Sequence, residues 1–175
     1  MEIYLTPMER LEDVMALYQD ARRFMCAHSN PDQWAAGYPG KDLIAQEIAW
    51  KQSYICVDGQ EIAAVFSLIG GEDPTYRKIY DGAWLNDAPY STVHRICVAH
   101  QGKGIGAFCL QWCLARCGNL RIDTHRDNWP MRSLLKKSGF TYCGRIFLED
   151  GAERMAFQKN MLSFQKHAPP WRPRG

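Results

Sequence analysis

The sequence predicts an α/β (α+β) fold in which about seven short strands and about four helices share one core. Three observations lead to this prediction. Short apolar runs bounded by turn residues predict strands, and apolar residues that recur at helical spacing predict helices, so the two kinds of element follow one another along the chain. Asp58-Gly59 and Asp150-Gly151 are turn signals that join two strands as a hairpin. A glycine-rich turn at 101–106 connects a predicted strand to a predicted helix.

The first helix carries its own start signal. Thr6 is a suitable N-cap, Pro7 suits the first helical position, and Glu9 completes a capping box. The predicted elements of the first half are a strand over 3–5, a helix from Thr6 to about Cys26, a loop over 28–40, a helix over 42–51, and hairpin strands over 54–57 and 62–69.

The second half opens on a segment, 72–90, that has no clean period but carries aromatic residues among acidic ones. A long segment of this kind is either part of a functional pocket or an irregular lid over the core. After it we predict a strand over 93–98, a helix ending at Cys117, a strand over 120–124, a helix between Asn128 and Gly139, and hairpin strands over 140–148 and 153–158.

The composition is typical of a globular protein with a single domain, which we place at residues 1–162, followed by a loosely ordered tail at 163–175. Hydrophobic residues make up 46% of the chain and charged residues 23%, as in folded proteins. A net charge of +2 predicts no nucleic-acid partner. No apolar run approaches about 20 residues and no secretory signal is seen, so we expect no membrane partner and a cytoplasmic location.

The chain has seven cysteines, an odd number without a Cys-x-x-Cys pair, which favours free thiols in a reducing compartment. Cys109, Cys113 and Cys117 are spaced four apart on one predicted helix. A zinc site would need a fourth ligand, and the sequence offers no close histidine. We therefore expect no metal.

The glycine-rich turn has the elements of an anion site. The first amides of a helix lack partners within the helix, and the helix dipole adds about half a positive charge there. A phosphate loop of the Walker type needs Ser or Thr after its lysine, whereas Lys103 is followed by Gly104. The glycine spacing also differs from the Gly-x-Gly-x-x-Gly of dinucleotide folds. The alternative without a ligand is a tight strand-to-helix turn.

Two motifs in this chain resemble those of the GCN5-related N-acetyltransferase (GNAT) family. The stretch Gln101-Gly-Lys-Gly104-Ile-Gly106 matches Gln/Arg-x-x-Gly-x-Gly/Ala, and residues 128–140 resemble Asn-x-x-Ala-x-x-Leu-Tyr-x-x-x-Gly-Phe. In the second motif Met131 replaces the alanine, and Leu135 replaces the tyrosine that usually serves as general acid. The order of predicted elements also resembles that of the family.

This resemblance implies the GNAT fold, with a mixed and mostly antiparallel sheet splayed between strands 4 and 5, and acetyl-CoA as co-substrate. The turn would hold the pyrophosphate, and the fourth strand would flank the pantetheine arm. Asn128 would contact CoA, although it is also a plain helix cap. The implied cofactor-binding residues are Ile96, Cys97, Val98, Gln101, Gly102, Lys103, Gly104, Ile105, Gly106, Ala107 and Asn128.

Acetyl transfer to an amine requires a base, because an ammonium group has no lone pair. Asp123 is the first candidate, since it resembles a catalytic glutamate of some ribosomal-protein acetyltransferases, and His94 is the second. Strand alternation places His94 on one face with Ile96 and Val98. The alternatives are a hydrogen-bonded core role for His94 and, for Asp123, an ion pair with Arg95, Arg121 or Arg126. Tyr90 and Tyr142 are possible substitutes for the missing acid.

The expected partner is a small-molecule or peptide amine, and the expected assembly is a monomer or homodimer. An aromatic and partly acidic pocket would suit a small cationic amine, although a protein amine is equally open. The alternative function is a non-catalytic acyl-CoA-binding or sensing module that lost its acid at Leu135. The candidate substrate-binding residues are Trp34, Asp81, Trp84 and His125.

Overall fold

The computed structural model describes residues 1–34 and 37–161. Its strands are β1 (Glu2–Leu5), β2 (Ser53–Asp58), β3 (Glu61–Gly70), β4 (Ser91–Val98), β5 (Asn119–Thr124), β6 (Thr141–Phe147) and β7 (Glu153–Asn160). Its helices are α1 (Leu11–Ala27), α2 (Lys41–Ala49), α3 (Ile105–Cys117) and α4 (Trp129–Lys137). The predicted fold class is confirmed, and each predicted strand and helix has its counterpart.

The strands form one seven-stranded sheet in the order β1-β2-β3-β4-β5-β7-β6. The pairs β1–β2, β2–β3, β5–β7 and β6–β7 are antiparallel. Strands β4 and β5 are a parallel pair, with Ser91 opposite Leu120 and Thr92 opposite Arg121. The sheet splays at this pair, as the resemblance implied.

The chain divides into two compact units. Unit 1 comprises Met1–Leu68 and His94–Cys109, and unit 2 comprises Ile69–Val93 and Leu110–Gly175. The assignment of a single domain to residues 1–162 stays a prediction, and the predicted tail at 163–175 lies outside the described residues. No helix within the described ranges has the length and apolar character to cross a membrane.

Each unit buries its own cluster of apolar side chains. In unit 1, helices α1 and α2 cover β2 and β3. The buried members there are Val14, Tyr18, Ile44, Ile48, Ile55, Val57, Val65 and Cys97. In unit 2, Tyr76, Ile146 and Ala156 are buried together, and Ile79, Trp84 and Tyr90 pack against them. Tyr76, Trp84 and Tyr90 of segment 72–90 therefore belong to the core of unit 2.

The start of α1 differs from the predicted capping box. A 3-10 turn over Met8–Arg10 precedes α1, and Pro7 is its N-cap without any side-chain cap. The Thr6 hydroxyl instead shares a buried hydrogen bond of 2.8 Å with the Ser53 hydroxyl. The capping prediction was wrong because Thr6, which directly follows β1, lies beside Ser53 at the start of β2. Its hydroxyl bonds to the Ser53 hydroxyl and not to the backbone of the helix start.

Segment 72–90 is ordered by backbone contacts with β6. Tyr80 and Arg145 exchange two backbone hydrogen bonds of 2.8 Å each. Gly82 lies so close to β6 that a Cβ atom there would be 2.0 Å from the carbonyl oxygen of Cys143. The segment approaches the sheet at a distance that only glycine permits.

We expect Gly82→Ala to destabilise the protein by about 2 kcal/mol or more, because the added methyl group would overlap a backbone atom. Urea unfolding measures the change. Gly40→Ala is the matched control, since its Cβ would have no neighbour within 4 Å. At that helix N-cap the cost should be about 1 kcal/mol or less, because alanine is a poorer cap than glycine. Equal losses in the two variants would contradict the close approach.

Candidate active site

The glycine-rich turn joins the end of β4 at Val98 to the start of α3 at Ile105. Gly102 and Gly104 have φ values of +80° and +76°, a region that side chains disfavour. A Cβ atom built on either glycine meets nothing within 4 Å, so open space lies beside the backbone. Phe108 donates from its backbone N–H to Gly104 at 3.0 Å, and the amides before it have no intrahelical acceptor. The turn thus presents exposed donors at a helix start.

Strand β4 leads into this turn with an irregular backbone. Arg95 has a φ of +54°, which is uncommon for a residue with a side chain and interrupts the two-residue repeat of a strand. The prediction that His94, Ile96 and Val98 share a face rests on that repeat and does not follow across Arg95. Cys97 is buried, and burial raises the pKa of its thiol well above the usual range. Its thiol therefore stays protonated at neutral pH.

A buried ion pair holds the irregular residue of β4. Arg95 pairs with Glu47 of α2, and their side chains are only 9% and 4% exposed. Arg95 also donates from Nη1 to the Tyr38 hydroxyl at 2.7 Å, and the Ser67 hydroxyl donates to Glu47 Oε2 at 2.6 Å. Sequence reasoning missed this cluster. The available signal was Glu47 itself, a carboxylate on the apolar face of a predicted helix.

Trp34 lies in unit 1 and packs against the buried cluster under α1 and α2. Its ring meets that of Tyr18 edge to face, with centroids 5.7 Å apart. Tyr18 is buried, and burial raises the pKa of its hydroxyl well above the usual value. The described contact is therefore a packing role for Trp34, and its role with a substrate stays a prediction.

Asp123 lies in β5 and has two partners from other elements of unit 2. The Tyr76 hydroxyl donates to Asp123 Oδ1 at 2.7 Å. The Nε atom of Arg154 lies 3.8 Å from Asp123 Oδ2. The cation beside Asp123 is therefore Arg154 of β7, which corrects the predicted choice among Arg95, Arg121 and Arg126. Burial, followed by the charge of Asp123, raises the pKa of Tyr76 well above its usual value, so the phenol remains a donor.

Sequence reasoning missed Tyr76 as a partner of Asp123. Tyr76 closes a 3-10 turn over Pro74–Tyr76, whose N-cap Asp73 accepts from the Thr75 backbone at 2.9 Å. The signal was Asp73-Pro74-Thr75, since Asp as a cap and Pro in the first turn mark the start of a helical turn. No local pattern predicts the contact with Asp123, because the two residues are 47 positions apart in the chain.

The aromatic rings of segment 72–90 are occupied by a cation of the chain. The Arg121 guanidinium lies 4.2 Å from the Trp84 ring centroid and 3.9 Å from that of Tyr90. Trp84 also donates from Nε1 to the Tyr76 carbonyl at 3.0 Å and stacks on the Tyr76 ring at 5.4 Å. The ring faces of Trp84 and Tyr90 can bind a cation, and in this structure Arg121 of the same chain lies over both rings. A substrate role for Trp84 stays a prediction.

Asp81 and His125 also have partners within unit 2. Asp81 accepts from Arg145 Nε at 2.6 Å, and Arg145 also pairs with Glu153 at 2.5 Å. The His125 ring accepts from the backbone N–H of Asp127 at 3.3 Å, and its Nδ1 lies 3.5 Å from the Asp127 carboxylate. Their predicted contacts with a substrate stay predictions.

The second motif forms the start of α4. Asn128 is the N-cap, and its side-chain oxygen accepts from the Met131 backbone at 3.1 Å. This confirms the cap role, while a contact with CoA stays a prediction. Leu135 is fully buried, so its side chain packs in the interior of unit 2. The Tyr90 hydroxyl accepts from the Asp73 backbone at 3.0 Å, whereas Tyr142 is half exposed.

The solved structures include close likenesses of this chain. A GNAT-family acetyltransferase from Streptococcus agalactiae is 31% identical, with a TM-score of 0.86 over 91% of this chain and 95% of that one. A GNAT-family acetyltransferase from Listeria monocytogenes is 16% identical, with a TM-score of 0.67 over 91% and 94% of the two chains. A Salmonella typhimurium protein whose structure contains its cofactor acetyl-CoA is 17% identical, with a TM-score of 0.63 over 97% of each chain.

The last two likenesses are below 25% identity and show the fold alone. Comparison with protein-family profiles and with curated protein sequences gave no match.

We expect Glu47→Gln to destabilise the protein by about 3 to 5 kcal/mol, because the Arg95 guanidinium would remain buried without a counter-charge. Urea unfolding measures this loss. The control is Glu12→Gln, which removes a carboxylate from the exposed pair with Lys41 and should cost less than about 1 kcal/mol. A loss at Glu47 no larger than that at Glu12 would show that the pair adds nothing to stability.

Proposed function

The chain belongs to the GNAT family of acetyltransferases, and from this premise we propose that it transfers the acetyl group of acetyl-CoA to a primary amine in a ternary complex. The observation that carries the proposal is the exposed glycine turn at the start of α3, in a chain 31% identical to a GNAT acetyltransferase over nearly its full length. The turn fits a pyrophosphate because it combines exposed amides with open space beside the backbone.

The proposed cofactor residues are those of β4 and the turn. The amides of 101–107 would hold the pyrophosphate, and the backbone of 96–98 would flank the pantetheine arm. Asn128, already the cap of α4, would add a polar contact from the start of its helix. The bound acetyl-CoA would supply a thioester carbonyl activated toward an amine. The Salmonella typhimurium neighbour, which contains acetyl-CoA, supports this use of the fold.

We assign the base to Asp123 first and to His94 second, acting directly or through a water molecule. The Asp123 side chain is 15% exposed, so part of it is accessible while its rotamer is held by neighbours. The Tyr76 hydroxyl holds one carboxylate oxygen at 2.7 Å, and the Nε atom of Arg154 lies 3.8 Å from the other.

The reaction can proceed without an acid at position 135. A thiol has a pKa of about 8.5, whereas a protonated alkyl amine has one of about 10.4. A thiolate therefore departs from the tetrahedral intermediate without assistance, while the amine must lose its proton before it attacks. Leu135 has no proton to donate, so the proton transfer left to the protein is the more demanding one, from the amine to the base.

The acceptor class is a small cationic amine or a protein amine. Trp34, Asp81, Trp84 and His125 are the proposed substrate-binding residues. A panel of polyamines, amino acids and short peptides, assayed by thiol release, would distinguish the two classes.

A second candidate function is a non-catalytic acyl-CoA-binding module. The observation that favours it is the buried Leu135 in place of the family's tyrosine. Thiol release above background with any amine of the panel would exclude it. Acetyl-CoA binding without turnover across the whole panel would support it.

Gly104→Asp should weaken acetyl-CoA binding by about tenfold or more, because a negative charge would lie beside the pyrophosphate. Calorimetry on the folded variant measures the affinity. Gly104→Asn is the matched control, since asparagine has the same shape and tolerates positive φ as aspartate does, but carries no charge. If both variants bind with equal affinity, charge at the turn is irrelevant and the pyrophosphate assignment is wrong.

Asp123→Asn should lower the rate at neutral pH by about 100- to 10,000-fold and abolish the acid-side inflection of the pH–rate profile, because the amide cannot take the amine's proton. Binding of acetyl-CoA should persist. His94→Gln tests the second candidate in the same way, and Asp58→Asn at the end of β2 controls for loss of a carboxylate. Wild-type profiles for both Asp123→Asn and His94→Gln would mean that the amine loses its proton to solvent.

A further inference from the structure

The partners of Asp123 divide its two oxygens between different roles. Oδ1 accepts from the Tyr76 hydroxyl at 2.7 Å, a distance typical of a strong hydrogen bond to a carboxylate. Oδ2 lies 3.8 Å from Arg154 Nε, which is beyond hydrogen-bond distance. One oxygen is therefore committed to the phenol, and the other keeps its capacity to accept a proton.

Tyr76 is fixed independently of Asp123. Its side chain is only 1% exposed, and its ring stacks against those of Trp84 at 5.4 Å and Tyr90 at 6.4 Å. Its carbonyl accepts from Trp84 Nε1 at 3.0 Å, and its amide donates to the Asp73 carbonyl at 2.9 Å. The hydroxyl thus has a defined position before any contact with the carboxylate is made.

We propose that Tyr76 is a positioning residue for the catalytic carboxylate, which holds Asp123 by Oδ1 so that Oδ2 is the oxygen that takes the proton of the amine. This inference rests on the proposed role of Asp123 as base. The proton moves from the amine nitrogen to Oδ2, and Tyr76 keeps its own proton throughout. Tyr76 does not replace the acid missing at Leu135, because its hydroxyl is buried and committed to the carboxylate.

Charged and titratable groups lie around this pair. Arg154 faces Asp123 from β7, and Asp73 and Tyr90 act on Tyr76 from its own segment. The negative charges of Asp123 and Asp73 both oppose ionisation of the phenol, and so does burial. The hydroxyl therefore donates throughout the pH range in which the carboxylate ionises.

Tyr76→Phe should lower kcat about tenfold at neutral pH, because the carboxylate loses the donor that holds its orientation toward the amine. It should also move the acid-side inflection of the pH–rate profile to higher pH, because the removed hydroxyl can donate only to the ionised oxygen. The KM for acetyl-CoA should change by less than about twofold, since the bond acts on proton transfer. A steady-state pH series measures all three quantities.

Tyr80→Phe is the matched control. Tyr80 lies in the same segment, where its ring contacts Phe147 and Lys78. The substitution removes one phenolic hydroxyl, as Tyr76→Phe does. Its profile should match that of the wild type. If Tyr76→Phe and Tyr80→Phe give the same kcat and the same inflection, the positioning role is overturned.

A second variant addresses the case in which Tyr76→Phe fails to fold, as judged by thermal unfolding. Replacement of Tyr76 by 3-fluorotyrosine keeps the ring and strengthens the donor. It should move the inflection to lower pH, opposite to the phenylalanine variant. An unchanged inflection in a folded fluorotyrosine protein would also overturn the inference.

Failure of the proposed function would look different. If Asp123 is not the base, Asp123→Asn keeps its activity. The hydrogen bond itself can then be tested by NMR titration of the ¹³C-labelled Asp123 carboxylate in the wild type and in Tyr76→Phe. A higher midpoint in Tyr76→Phe would show that the phenol holds the carboxylate. Equal midpoints would show that it does not.

Discussion

The buried Glu47–Arg95 ion pair is the constraint on which the course of β4 depends. Arg95 adopts a backbone conformation that costs a residue with a side chain about 1–3 kcal/mol, and it lies three residues before the end of its strand. The guanidinium is held by Glu47 and Tyr38, and Glu47 is held in turn by Ser67. Removing water from both charges is costly, and the hydrogen bonds to Tyr38 and Ser67 offset part of that cost, while Arg95 Nε is buried without a hydrogen-bond partner among the described residues. The glycine turn at 101–106 begins three residues after the end of β4, so the ion pair lies close in sequence to the turn.

Unit 2 uses buried polar groups in a similar way to fix segment 72–90. Asn119 donates to Asn86 at 2.9 Å, Gln158 donates to Asn119 at 2.8 Å, and Leu85 donates to Gln158 at 2.8 Å. Arg121 donates to the Asn86 carbonyl at 2.9 Å, and its guanidinium lies over two aromatic rings. A segment without regular secondary structure is thereby given a single conformation. Of the two predicted alternatives, a functional pocket or an irregular lid over the core, the described contacts show a segment packed on the core of unit 2, and a role in a pocket stays a prediction.

Tyr76 of the same segment contributes both to the core of unit 2 and to the proposed active site. The Tyr76 ring belongs to the apolar cluster of unit 2, and its hydroxyl reaches the carboxylate proposed as the base. In the proposed reaction, which uses no acid at position 135, the protein assists only the removal of the amine proton, so the placement of the base matters more. A carboxylate with one oxygen bound by a rigid phenol suits that need, since little reorganisation accompanies proton transfer.

The sequence by itself determined the elements of this fold and the glycine turn, because apolar spacing, Asp-Gly turns and glycines act within a few residues. It also determined the cap at Asn128, whose partner is three residues away. Tertiary structure alone decided three contacts. Thr6 binds Ser53, and Arg95 pairs with Glu47. Asp123 lies between Tyr76 and Arg154. These partners are 30 or more residues apart, and no local pattern records which side chain a long-range contact will supply.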